Sequence, residues 1–186
     1  MERRLVLQGI GAAFLAGAGV AAAQYSKPPA SAAGIEKLQR DWKTLLAQNA
    51  KVAADASPLA RTDDEWRRAL DANAYAVLRH EGTERPFSSA LNGEHRPGIF
   101  VCAGCSLPLF TSAMKFDSGT GWPSYFTTIP NAFQTKSDHA LMLARTEYHC
   151  AKCGGHHGHI FDDGPQPTGL RYCNNGVALR FIPASA

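Results

Sequence analysis

The sequence predicts a mainly β, α+β fold: a small antiparallel β domain with helices on its N-terminal side. Three observations predict it. Apolar residues recur at helical spacing in two N-terminal stretches. From Gly98 onward, short apolar runs alternate with Gly, Pro and Asp turns, the pattern of strands joined by tight connections. Two C-x-x-C pairs stand beside those runs in turn contexts, which suits a small domain held together at its turns. At 186 residues the chain accommodates one compact domain plus an extension.

The extension begins with a basic stretch, Met1 to Arg4, followed by the uncharged, Gly- and Ala-rich run Leu5 to Ala23. Small residues at Ala21 and Ala23 suit a signal-peptidase site near Gln24, so residues 1–23 read as a secretory signal. Arg3 and Arg4 ahead of a modestly apolar run also match a twin-arginine signal; an ordinary signal with two incidental arginines is the alternative. The run is about long enough to span a bilayer, so an uncleaved anchor is the competing reading, weakened by its low hydrophobicity. The expected location is therefore the bacterial periplasm, with membrane anchoring as the alternative. Cleavage would remove Glu2, Arg3 and Arg4 and leave a mature chain close to neutral.

Residues 24–61 form a linker and helical extension. Ser26 to Gly34 is rich in Pro, Ala and Ser. Ile35 to Ala54 then has helical spacing, with Leu38, Trp42, Leu45 and Leu46 on one side; nothing in the sequence states its use. The main domain spans 62–184. Thr62-Asp63-Asp64-Glu65 fits a capping box, in which the threonine oxygen and the glutamate carboxylate each accept from the other residue's backbone amide. Trp66, Leu70, Ala74 and Val77 follow at helical spacing and read as core. Strand signals include Ile99-Phe100-Val101, His139 to Leu143, and Val177 to Ile182.

Composition narrows the function classes. Hydrophobic content of 45% with 19% charged residues argues against wholesale disorder. A formal charge of +3 is too mild to mark a nucleic-acid binder, and the residues between the cysteine pairs lack a basic face.

Four of the five cysteines form the pairs Cys102/Cys105 and Cys150/Cys153. A tight turn with this spacing aims two thiolates at one ion, and two such turns complete a tetrahedral shell. The expectation is one structural Zn²⁺ per chain. A closed four-thiolate shell leaves no open position for chemistry, so the ion would hold the fold. The rival reading closes each pair as a disulfide in an oxidising compartment. Neither pair opens a helix after a strand, as a thioredoxin-like redox motif does.

Cys173 is left over, and an odd cysteine in an exported chain is a candidate reactive thiol. A nucleophilic thiol needs a favoured thiolate. Arg171, two residues away on an expected strand, projects on the same face and supplies positive charge. His156, His157 and His159 lie just upstream, and histidines there are candidate proton donors to a leaving oxygen.

The stretch from about Asp64 to Pro183 resembles the B-type peptide-methionine (R)-S-oxide reductases. The resemblance rests on Gly82-Thr83-Glu84-Arg85-Pro86-Phe87-Ser88, the Cys102 pair, Phe116-Asp117-Ser118-Gly119-Thr120-Gly121-Trp122-Pro123-Ser124, the Cys150 pair, His156-His157-Gly158-His159 and Arg171-Tyr172-Cys173-Asn174-Asn175. It implies two small antiparallel sheets, zinc at the two pairs, and reduction of methionine-R-sulfoxide in oxidised proteins or peptides, with free methionine sulfoxide a further candidate substrate. It implies Cys173 as nucleophile, with His156 and His159 on the sulfoxide oxygen. Asn175 would orient substrate and water, Trp122 would hold the S-methyl group, and Arg171 would activate the thiol. His157 stands where the family is usually apolar; a solvated residue or a weak metal ligand are its two readings. Gly176 replaces a common serine, with no consequence derivable from sequence.

Many relatives carry a resolving cysteine where this chain has Thr120. With four cysteines committed to metal, the expectation is a one-cysteine cycle: a sulfenic acid on Cys173, which condenses with a thiol. The reductant would be a thioredoxin-like protein or a small thiol. The chain is expected to be monomeric, with no nucleic-acid partner and no stable membrane partner once the signal is cleaved. A catalytically dead module that only binds oxidised peptides is the competing class, and intact His156, His159, Arg171, Cys173 and Asn175 argue against it.

Overall fold

The computed structural model describes residues 27–138 and 144–184. The signal segment 1–23 and the expected strand His139 to Leu143 lie outside the described residues. No helix among the described residues is long and apolar enough to cross a membrane.

The N-terminal helix is shorter than its apolar spacing predicts. α1 runs Ala32–Asp41, capped by Ser31, and gives way to a 3₁₀ turn at Trp42–Leu45. The Thr44 hydroxyl donates to the Asp41 carbonyl at 2.7 Å, taking an acceptor that a continuing helix would use. Beyond it the chain becomes an extended strap. The Ala53 amide donates to Ser106 O at 2.9 Å, and the Leu59 amide to Lys152 O at 2.7 Å. Ser106 follows the first cysteine pair and Lys152 lies inside the second. The segment whose use was illegible therefore crosses both cysteine turns, with Leu38, Trp42, Val52 and Leu59 packed on the core.

The expected second helix is two. α2 covers Asp63–Ala69 with a complete capping box at Thr62 and Glu65, and α3 covers Ala72–His80. The break has a local cause: the Asp71 carboxylate accepts from the amides of Asn73 and Ala74, both at 2.9 Å, and so starts a new helix. Trp66 is 3% exposed and sits between the guanidinium groups of Arg61 and Arg79, each 4.9 Å from its ring.

Among the described residues, nine strands make two antiparallel sheets. They are β1 Gly98–Cys102, β2 Pro108–Thr111, β3 Lys115–Phe116, β4 Ser124–Tyr125, β5 Phe133–Asp138, β6 Arg145–Cys150, β7 His156–Phe161, β8 Arg171–Asn174 and β9 Leu179–Pro183. The three-stranded sheet has order β2-β1-β9 and the six-stranded sheet β3-β4-β8-β7-β6-β5. An aromatic core lies between them. Phe110 stacks on Tyr125 with centroids 3.8 Å apart, and Phe133 meets Tyr148 edge-on at 4.8 Å.

Trp66 also packs close to the turn at Gly104, between the first two cysteines. Replacing it with alanine should cost about 3–5 kcal/mol of stability, the range for truncating a large buried aromatic side chain. Chemical denaturation of the variant beside the native chain measures this.

Candidate functional site

Each cysteine pair occupies a turn between antiparallel strands. Cys102 ends β1, and the chain turns back through Cys105 into β2; Cys150 ends β6, and Cys153 precedes β7. The two turns are built alike. The Ser106 amide donates to Cys102 O and the Gly154 amide to Cys150 O, both at 2.8 Å, and both donor residues have positive φ, +63° and +68°. One turn belongs to each sheet.

All four sulfur ligand atoms lie within 4.8 Å of one another, and none of these cysteines is in a disulfide. The separations Cys102–Cys153 and Cys105–Cys150 are 3.6 and 3.5 Å. Four thiolates around an ion at about 2.3 Å would stand about 3.8 Å apart, so the cluster fits a tetrahedral metal. Hydrogen bonding to Cys105, Cys150 and Cys153, with burial, pushes the Cys102 thiol well above the usual range. Buried thiols this crowded resist joint ionisation, and a divalent cation relieves that resistance.

The second centre is Cys173 on β8, at the middle of the six-stranded sheet. It pairs with Ser124 on β4 and with His159 on β7, which in turn pairs with Glu147 on β6. Directly opposed residues share a face, so Ser124, Cys173, His159 and Glu147 form one row. β7 and β8 approach closely because residue 158 is glycine: a Cβ there would stand 1.9 Å from the Cys173 carbonyl oxygen.

Cys173 opens into a cavity of about 140 Å³ lined by Thr83, Trp122, Arg145, Gly158, His159, Phe161, Asn174 and Asn175. Space of that size receives a side chain rather than a whole cofactor. Burial raises the Cys173 pKa, opposed by the charge of Arg171 and by hydrogen bonds from Thr120 and Arg171. Here burial outweighs the arginine. One reason is that Arg171 is shared: its Nε and a terminal nitrogen meet both oxygens of Asp163 at 2.7 and 2.8 Å.

The remaining sequence-derived residues divide into layers. His159 lines the cavity with Nε2 2.8 Å from Asp138 Oδ2, and burial lowers its pKa against that contact. His156 stands one layer back, its ring 5.6 Å from that of His159. It is 3% exposed, with Nδ1 2.9 Å from Glu147 Oε1 in an approach misaligned for a hydrogen bond. Trp122 lines the cavity and donates through Nε1 to Glu84 O at 3.1 Å. Asn175 is clamped: its Oδ1 accepts from the Glu84 amide at 2.9 Å, and its Nδ2 donates to His157 O at 3.0 Å.

His157 corrects both of its sequence readings. It is fully buried in the aromatic core, 5.4 Å from Phe133 and 6.4 Å from Tyr148, and is neither solvated nor within the metal cluster. Burial lowers its pKa to about 4. Gly176 also acquires a reason: a Cβ there would lie 1.9 Å from the Ser89 hydroxyl oxygen. Sequence reasoning missed the role of Glu84. Its carboxylate accepts from the amides of Gly176 and Val177 at 2.6 and 2.9 Å, while its backbone holds Trp122 and Asn175. The Gly-Thr-Glu motif flagged the position; partners about ninety residues away hid the function.

The SelR domain family matches residues 70–183. A "Peptide methionine sulfoxide reductase MsrB" of Herminiimonas arsenicoxydans is 52% identical over 122 residues, which cover 65% of this chain and 89% of the relative. One of Bradyrhizobium diazoefficiens is 47% identical over 136 residues, 73% of this chain and 98% of the relative. A solved Mis18 "Yippee-like" domain is similar with a TM-score of 0.39 and 15% identity, over 49% of this chain and 100% of that one.

Because His157 is neutral in the folded chain and has an ordinary pKa near 6.5 when unfolded, the unfolded state takes up the extra proton. Its contribution to stability is complete above pH 6.5 and is lost as pH falls toward 4, by about 3 kcal/mol. His157→Leu should flatten this fall, seen as a smaller drop in denaturation midpoint between pH 7.5 and 5. Gly158→Ala should separate β7 from β8 and abolish activity while lowering Tm, read by calorimetry beside an assay.

Proposed function

We propose that this chain, which belongs to the SelR domain family of peptide methionine sulfoxide reductases, works through a sulfenic acid on Cys173 that an external thiol reduces. The chain reduces methionine-R-sulfoxide to methionine. The observation that supports the finer chemistry is the position of Cys173. It is the only one of five cysteines outside the four-thiol cluster, and its sulfur faces a side-chain-sized cavity with an indole and an imidazole in the wall.

The substrate methyl group rests against Trp122, whose ring is held by Glu84. The Cys173 thiolate attacks the sulfoxide sulfur, forming an S–S bond as the sulfur–oxygen electrons move to oxygen. Proton transfer from the His159 side, with His156 and Glu147 behind it, turns that oxygen into a hydroxyl. Transfer of hydroxyl to Cys173 releases methionine and leaves Cys–SOH, so one thiol is oxidised as one sulfoxide is reduced. A first external thiol condenses with the sulfenic acid and expels water. A second thiol releases Cys173 and leaves with a disulfide. Thr120 occupies the loop position of a resolving cysteine, which is why the electrons come from outside the chain.

Cys102, Cys105, Cys150 and Cys153 would hold one Zn²⁺, whose role is to cross-link the two cysteine turns. The basic-then-apolar N-terminus supports export to the periplasm, where the donor would be a thioredoxin-like protein or a small thiol. Arg171 and Asn175 complete the site, the first as positive charge beside the sulfur and the second as the clamp on the cavity floor. The chain acts as a monomer.

Cys173→Ser should lower turnover of the R epimer at least about 10³-fold with a chemical dithiol as donor, yet bind one equivalent of zinc as the native chain does. Retained turnover would overturn the assignment. Cys150→Ser should do the reverse of a clean catalytic lesion: zinc content falls, and the denaturation midpoint falls with it, as metal analysis and unfolding would show.

A further inference from the structure

Asp138 ends β5, the last strand of the six-stranded sheet, and its carboxylate reaches over β6 to the wall of the Cys173 cavity. Its Oδ2 lies 2.8 Å from Nε2 of His159 and 2.5 Å from a terminal nitrogen of Arg145. His159 and Arg145 both line the cavity. Register assembles the group: Asp138 pairs with Arg145, and two residues further along β6, on the same face, Glu147 pairs with His159. The His159 and Asp138 side chains are only 14% and 13% exposed, so water screens their contact weakly. No step of the reaction described above involves Asp138.

The carboxylate settles where the imidazole carries its hydrogen. Ion-paired with Arg145, Asp138 only accepts, so the 2.8 Å contact requires a hydrogen on Nε2 of His159. A neutral His159 then has a bare Nδ1, and the imidazolium has its second hydrogen there. The proton that His159 gives to the sulfoxide oxygen is therefore the one on Nδ1, while Nε2–H stays on Asp138 through the transfer. Afterwards the ring is neutral. It is recharged through solvent by the proton that the second external thiol loses on becoming a thiolate. Without a carboxylate at 138 the ring loses both the fixed tautomer and the negative charge that favours its imidazolium.

We propose that Asp138 is a positioning residue for the proton donor: it fixes His159 with Nε2–H inward and Nδ1 toward the substrate, and its pairing with Arg145 sets how strongly it holds the imidazolium. The proposal rests on the reading in which His159 protonates the sulfoxide oxygen. Arg145 works against the histidine in two ways. It draws the same carboxylate oxygen, and its positive charge disfavours a second cation beside it. The other groups facing the ring are His156 on its own strand, Glu147 opposite it on β6 and Cys173 opposite it on β8. Burial lowers the His159 pKa, and the Asp138 carboxylate opposes that fall.

The test follows the imidazole nitrogens by NMR in the full, zinc-loaded chain carrying isotope-labelled histidine, with His159→Gln identifying the signals. Neutral His159 of the native chain should show a single tautomer, with its hydrogen on Nε2. Asp138→Asn keeps the size and removes the charge. Its His159 titration midpoint should fall by about one pH unit, and both tautomers should appear. Above the midpoint, where the imidazolium fraction limits proton donation, that fall means about tenfold slower turnover. Arg145→Gln should move the midpoint the other way. An unmoved midpoint in Asp138→Asn, shifts of the same sign in the two variants, or hydrogen on Nδ1 in the native chain would overturn the proposal. General damage to the fold does not give opposite signs, so the pair of variants separates positioning from a merely structural role. The titration needs no turnover, and its failure leaves sulfoxide reduction by Cys173 standing. If Cys173→Ser proves active, the reading on which the proposal rests falls, and the proposal falls with it.

Discussion

The two sheets are joined where four sulfur atoms meet. Cys102 and Cys105 belong to the turn of the three-stranded sheet, Cys150 and Cys153 to a turn of the six-stranded one, and all four lie within 4.8 Å. Everything that carries chemistry is downstream of this join. β6 and β7 flank the second turn directly, and β7 brings His159 to Cys173 with His156 behind it. The helices support the same place: Trp66 of α2 and Leu78 of α3 approach the two cysteine turns, and the strap between α1 and α2 hydrogen-bonds to both. A metal held there would tie together segments almost fifty residues apart, which is where a cross-link constrains a chain most.

From that join, register does the rest. Side chains alternate along a strand, so a slip of one residue in β8 would turn Cys173 into the aromatic core and Tyr172 into the cavity. The slip is opposed on both sides. Gly158 allows a contact with the Cys173 backbone that no other residue could make, and Asn174 accepts from the buried Tyr148 hydroxyl at 2.9 Å. Glu84 then closes the open end of the site from a distance. One residue holds the indole, the Asn175 amide and the Gly176–Val177 backbone, so these parts of the site share a single anchor.

Some of this was legible one residue at a time. The capping box at Thr62 and Glu65 is a local pattern and forms as written. The strand-and-turn rhythm after Gly98 and the cysteine spacing are also local, and both lead to the observed antiparallel turns. The failures share a cause too. Ile35 to Ala54 has helical periodicity, but its C-terminal half exchanges helix bonds for bonds to Ser106 and, further on, Lys152, partners the periodicity cannot see. His157 read as a solvated residue or a weak metal ligand, yet its strand position points it into the core, and its imidazole is accommodated by becoming neutral.

The kinds of chemistry available were written in the order of residues: four thiols spaced for an ion, one thiol left to react, imidazoles and an arginine nearby, and no second thiol at Thr120. Those are properties of residue type and short spacing, which survive any arrangement of the chain. How the groups divide came from packing alone. Folding put His159 at the cavity, His156 behind it and His157 in the core, and spent part of Arg171 on Asp163. Three histidines within four residues look alike in a sequence. Strand alternation, a bulge between β6 and β7, and burial make them three different groups.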